Sequence, residues 1–152
     1  MSTQNLSDLV SLLRGPTLTV RTGLWLAPPH VFGQEDDEAA RLGIDTIDIR
    51  EPILTNLPEG TRFLKLSAER VIEALDEVCQ KYRGTDCVLV CNLDLLVARL
   101  TWKDREILWQ QLLIGFPHRS RSLLVLVPRD ADHLQPFGAV LDGWRREGRI
   151  VG

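Results

Sequence analysis

The side chains best suited to chemistry are few and scattered. His30, His118 and His133 lie in separate segments. None has the HxxxH spacing that sets two imidazoles on one helix face, so no metal site is expected. Asp94, His118 and Ser120 supply the residue types of a nucleophilic set, but no GxSxG-type elbow presents the serine. Chance co-occurrence is the better reading. Cys79, Cys87 and Cys91 are odd in number and lack paired spacing, which suggests a reducing compartment and a cytoplasmic protein. Cys87 and Cys91 share one apolar run. At the rise of a strand they would sit about 13 Å apart, too far for a disulfide or for one metal ion. Buried thiols are expected. Arginines gather in two places. Arg119 and Arg121 follow His118, and Arg145, Arg146 and Arg149 lie beside Trp144. They read as a solvated face or as a basic contact patch for nucleic acid or an acidic partner.

Those residues must be positioned by a scaffold of one domain's size. The chain has 152 residues, 44% apolar and 26% charged, with a net charge of −3. That is a globular composition, and it argues against a protein coated in positive charge. No apolar run approaches the roughly 20 residues of a membrane span. Met1 to Asp8 lacks a basic region followed by an apolar stretch, so no signal peptide is expected. No repeat or linker divides the chain, and residues 1–152 are expected to form a single domain. Within it, residues 1–16 make an N-terminal helix and residues 17–152 an αβ core.

Leu6 to Arg14 is amphipathic and stops at Gly15-Pro16, which predicts a short helix. Thr17 to Ala27 reads as a strand ended by Pro28-Pro29. Gln34 to Leu42 reads as an acidic helix capped by Gly43. Ile44 to Ile49 alternates as a half-buried strand does. Arg50 to Leu66 contains Pro52, Pro58 and Gly60 and reads as a loop. Ser67 should cap a helix running to about Arg83, with Val71, Ile72, Leu75, Val78, Cys79 and Tyr82 on its buried face. Asp86 to Leu93 is nearly all apolar, as expected of a strand buried on both faces of a parallel sheet. A short helical turn, Leu95 to Leu100, follows. Thr101 with Asp104 opens a helix to about Ile114, with Trp102, Leu108, Trp109, Leu112 and Leu113 as its apolar positions. Trp102 and Trp109, seven apart, should share its buried face; exposure of both would mark an interface. Leu123 to Val127 is a further strand, Leu134 to Glu147 a helix interrupted by Pro136 and Gly138, and Arg149 to Val151 a final strand. The alternation predicts an α/β fold, a three-layer, doubly wound and mostly parallel five-stranded sheet.

Ligands of such sheets bind at the carboxyl ends of the strands. The turn there is LAPPHVFGQ, Leu26 to Gln34. It resembles the phosphate-binding loop of P-loop NTPases, GPPGxGK[ST], in outline. Ala27 stands at the first glycine, and Pro28 and Pro29 match. His30 and Phe32 replace glycines, Gly33 replaces the lysine, and Gln34 replaces the Mg²⁺-binding hydroxyl. The lost glycines would let backbone N–H groups curl around phosphate, and the lost lysine would charge-pair the outer phosphates. Glu35, Asp36, Asp37 and Glu38 suit a helix N-terminus but repel a triphosphate. VLVCNLDLL, Val88 to Leu96, resembles the Walker B strand. Cys91 stands at its metal-holding acid, with Asn92 and Asp94 behind it. Asp94 either faces the cleft or serves as a capping or surface acid. Pro128 and Arg129 end the fourth strand, where these ATPases usually carry a phosphate-sensing polar residue. The resemblance implies a P-loop NTPase-like domain without ATPase activity, and no cofactor.

Two families share this outline. The segment from Arg41 to Pro128 resembles the small P-loop protein of BREX phage-defence systems. WLAPPH, Trp25 to His30, followed by a helix and GIDTIDI, is similar to the start of the cell-division inhibitor SulA and its RecA-like relatives in mutagenic DNA repair. The first resemblance implies a non-hydrolysing accessory subunit of a bacterial antiviral defence complex. The second implies an inhibitor or DNA-damage-response protein that binds a partner. Both imply protein–protein interaction, within a larger complex or as a homo-oligomer. Weak nucleotide or DNA binding is the remaining alternative.

Overall fold

The computed structural model describes residues 5–55, 66–81 and 84–152. Five strands form one sheet: β1 (Thr22–Ala27), β2 (Asp45–Asp48), β3 (Cys87–Cys91), β4 (Ser122–Pro128) and β5 (Ile150–Val151). Their order is β2-β3-β4-β1-β5, and every pairing is parallel. β1, β3 and all of β4 but its last residue are buried, the result of helices on both faces.

One face carries α1 (Leu6–Arg14) and α2 (Glu35–Leu42), which cover Trp25, Ala27, Leu89, Cys91, Leu124 and Leu126. Asn5 caps α1 by accepting from the Asp8 N–H at 2.8 Å. Gly23 lets α1 lie close on β1: a Cβ there would stand 2.9 Å from Leu13 Cδ1. Gly43 ends α2 in the left-handed conformation, φ 71°, as its role as a helix terminator requires. The opposite face carries α3 (Arg50–Thr55), α4 (Ala68–Lys81), α5 (Leu93–Val97), α6 (Trp102–Gln110) and α7 (Gly138–Arg146) over the larger apolar cluster.

Several elements depart from the sequence reading. β1 starts at Thr22, not Thr17, because its register with β4 begins at Thr22 opposite Leu123 and the residues before it have no strand to pair with. Arg50–Thr55 is helical rather than loop; its proline, Pro52, falls in the first turn, where a missing N–H costs nothing. Pro58, Gly60 and Tyr82 lie outside the described residues. The helical turn after β3 spans Leu93–Val97 rather than Leu95 to Leu100. The helix capped by Thr101 keeps α geometry only to Gln110 and continues as a π turn, Gln111–Gly115. The segment from Leu134 divides into a 3-10 turn, Asp132–Leu134, and α7, which starts after Pro136 at Gly138. Trp102, expected in the core, is 61% exposed, whereas Trp109 is 1% exposed. Seven residues bring both onto one side of α6, but its first turn projects past the packed layer.

Candidate functional site

β1 and β4 are neighbours whose crossovers leave toward opposite faces, one to α2 and the other to α7. That arrangement opens a crevice at their carboxyl ends in doubly wound sheets. Here the β1–β4 ladder runs on past the strand ends, and the end of β4 is capped by a side chain. The Arg129 N–H donates to Ala27 O at 2.8 Å, and Gln135 Nε2 donates to the carbonyls of Pro128 and Arg129 at 2.9 and 2.8 Å.

The turn after β1 is folded on itself. Pro28 is extended, and Pro29–Val31 make one 3-10 turn, started by a proline whose fixed φ suits it. The Val31 N–H donates to Pro28 O, Phe32 N–H to Pro29 O, and Gln34 N–H to Val31 O, at 3.1, 3.2 and 2.9 Å. The Gly33 N–H donates to the Glu35 carboxylate. Four consecutive N–H groups, Val31 to Gln34, are therefore satisfied inside the loop. A phosphate cradle needs such groups turned outward together.

A crevice lies to one side, running from the start of α2 along the whole of β2 and the neighbouring residues Val88, Cys91 and Arg121. Its volume is about 760 Å³, and Gly33, Gln34, Asp36, Asp48, Cys91 and Asn92 reach it. Ala27, Pro28, Pro29 and His30 do not line it. The structure thus brings the end of the loop beside the end of β3 but leaves its proline half elsewhere.

The chemistry of this crevice is acidic. Thr46 Oγ1 donates to Asp36 at 2.7 Å and ties α2 to β2. Asp48 accepts from Arg50 Nε and Nη2 at 3.0 and 2.7 Å. That guanidinium holds its carboxyl below the usual range, with Asn92 adding a further hydrogen bond. Asn92 sits in the left-handed region, φ 67°, where the chain leaves β3 for α5. Burial pushes the Cys91 thiol up to about 12, and Glu35, Asp36, Asp48 and Asp94 push the same way. Cys91 is thus neither an anion nor a Mg²⁺ ligand at neutral pH. Asp94, in the first turn of α5, does not line the crevice; burial raises its carboxyl above the ordinary aspartate value. No group of three or more metal-ligating side chains occurs among the described residues. Cys79 and Cys87 are also buried free thiols, with pKa values raised by burial.

The five arginines of the expected basic patch do not share one solvent-facing surface. Arg121 is 6% exposed; it donates to Thr85 O at 2.9 Å and pairs with Asp45 at 3.3 Å. Arg149 is 2% exposed beneath α7. Arg119 forks onto Asp76 at 2.7 and 3.0 Å. Arg145 and Arg146 alone are exposed. Their spacing looked like a patch because arginine stems and forks fit buried carbonyl sites as readily as they fit water.

One surface feature was missed. The Trp102 ring meets the Phe137 ring edge-on at 5.8 Å, and the Arg105 guanidinium lies 5.1 Å from the Trp102 centroid. Arg105 is itself fixed by donating to the carbonyls of Val97, Ala98 and His133 at 3.0, 3.1 and 3.1 Å. Phe137 is 46% exposed. The signal available was an aromatic at each of two helix starts.

Compared with protein-family models, curated proteins and solved structures, the chain matches none. No helix among the described residues is long and apolar enough to cross a membrane.

Proposed function

We propose that this chain is a non-catalytic interaction module on a P-loop NTPase-like scaffold, an adaptor rather than an ATPase. The observation that carries this reading is the inward satisfaction of the Val31–Gln34 amides, with Glu35 acting as the loop's own anion. A nucleotide would have to displace a carboxylate, without a lysine to hold its phosphates and amid several further acids. The exposed Trp102–Phe137 pair, braced by Arg105, supports a binding role, since tryptophan and arginine are enriched at interfaces. Membership of a BREX-like phage-defence complex rests on the sequence resemblance of Arg41 to Pro128. The SulA-like alternative rests on Trp25 to Ile49.

Calorimetry with ATP, ADP and GTP in the presence of Mg²⁺ tests the reading. No heat of binding is expected at millimolar nucleotide. A micromolar dissociation constant would overturn it and restore nucleotide binding as the leading function.

A further inference from the structure

We propose that α7 and β5 form a strap that opens as one unit ahead of the rest of the sheet, hinged at Gly138 and latched by Arg149. The strap's hold on the sheet is short. β5 has two residues, paired only with Leu24 and Trp25 of β1. Its chief anchor is Arg149, whose backbone oxygen accepts from the Leu24 N–H at 2.8 Å. The guanidinium donates to Thr22 O and Thr22 Oγ1 at 2.7 and 2.6 Å, and to Leu113 O and Leu112 O at 3.0 and 3.1 Å. Those two leucines lie in the π turn, whose wider ring leaves carbonyls free for an outside donor. Thr22 Oγ1 donates to Leu112 O as well, so β1, the π turn and β5 meet at one point.

The closed strap carries polar costs that opening would relieve. Arg149 is buried over the Trp144 ring, 4.9 Å from its centroid, and no carboxylate among the described residues forms an ion pair with it. The indole N–H of Trp144, on α7 itself, is buried without a partner among the described residues. Unmet or uncompensated groups of this kind favour states in which water reaches them. Against opening stand the burial of Trp144 and the close seating of Gly143 on Leu113, where a Cβ would lie 2.6 Å from Leu113 Cδ2.

A pivot is present at the other end. Gly138, the first residue of α7, has φ 60° and nothing within 4 Å of where its Cβ would be. Gly148, φ 67°, joins α7 to β5. Both positions tolerate the backbone changes that a hinge absorbs. Opening would bare the β1 edge at Leu24 and Trp25, a row of backbone groups able to accept another strand.

Native-state hydrogen exchange on the full chain tests this. The Leu24 amide, whose hydrogen bond crosses from β1 to Arg149 O, should exchange through an opening distinct from and less protected than that of Leu124 and Val125 in β4, while Glu147, Gly148 and Arg149, whose amides bond within the strap, should keep their own protection through it. Arg149→Lys keeps the charge but cannot fork across Thr22 and two carbonyls. It should cut protection of the Leu24 amide by about tenfold or more, the loss of roughly one charge-assisted bond, and leave β4 unchanged. Equal protection of Leu24 and β4 in the unsubstituted protein would overturn the proposal. So would a uniform loss across the molecule in Arg149→Lys.

Discussion

The carboxylate of Glu35 accepts a hydrogen bond from the backbone N–H of Gly33, two residues before it. This contact places a negative charge of the protein's own where a bound phosphate would compete. It also closes the turn leading into α2, whose first turn holds Glu35, Asp36, Asp37 and Glu38. Those acids complement the positive end of the helix dipole.

Replacing Glu35 by alanine should therefore cost stability rather than create a nucleotide site. The expected loss is about 1 kcal/mol, from a cap-like bond and a dipole-facing charge, and it should shrink as salt is added. Exchange of the Gly33 amide should accelerate. Calorimetry should still show no ATP binding, because the N–H groups of Val31, Phe32 and Gln34 remain turned into the loop. ATP binding by Glu35→Ala would mean that this single carboxylate, and not the whole loop conformation, excludes nucleotide.

Asp94 gives a prediction with a definite sign. Burial raises its carboxyl above the ordinary value of 3.8 and outweighs the hydrogen bonds it accepts from its own amide and that of Leu95; Glu35 adds repulsion, and Arg50 opposes it. A carboxyl raised in the folded state favours folding when protonated. Its contribution is fully present below the unfolded-state pKa and is lost as pH rises through the folded-state value. At neutral pH the ionised Asp94 is therefore a net liability. Asp94→Asn should raise Tm at pH 7, and the gain should disappear as pH falls below about 4, where both side chains are neutral. Thermal melts of the two proteins from pH 3 to pH 8 measure this. A gain that persisted unchanged at pH 3 would assign the effect to helix capping instead of charge.

How much of this was legible in the sequence depended on the range of the interaction. Val88–Val90 and Leu123–Val127 announced buried strands because burial on both faces requires uninterrupted apolar residues. The caps at Ser67 and Thr101 were legible for the same local reason: each side chain accepts from an N–H three residues on, at 3.3 and 3.1 Å. Arg50–Thr55 was not, because Pro52 signals a break unless its place in the first turn is known. The degenerate turn was visible as missing residue types, but the partners of its amides depend on how Pro28–Gln34 folds back. Arg149 was least legible. Its partners Thr22, Leu112 and Leu113 are far away in the chain, and its neighbours Arg145 and Arg146 suggested a surface.

Trp102 and Trp109 share one side of α6 and should behave oppositely on substitution. Trp109 is buried in the larger apolar cluster, so Trp109→Ala should destabilise by about 3–5 kcal/mol through lost transfer energy and a cavity. Its indole N–H, without a partner among the described residues, lowers the loss toward the bottom of that range, because alanine removes a buried donor along with the ring. Trp102 touches Phe137 and Arg105 but is mostly in water, so Trp102→Ala should cost roughly 1 kcal/mol or less, the worth of one exposed aromatic pair and one exposed cation–π contact. Urea denaturation of each variant measures both values. Acrylamide should quench Trp102 emission readily and Trp109 emission hardly at all. An exposed, braced aromatic that contributes little to folding is free to contribute to binding, so a large stability loss in Trp102→Ala would remove this support for the interaction-module reading.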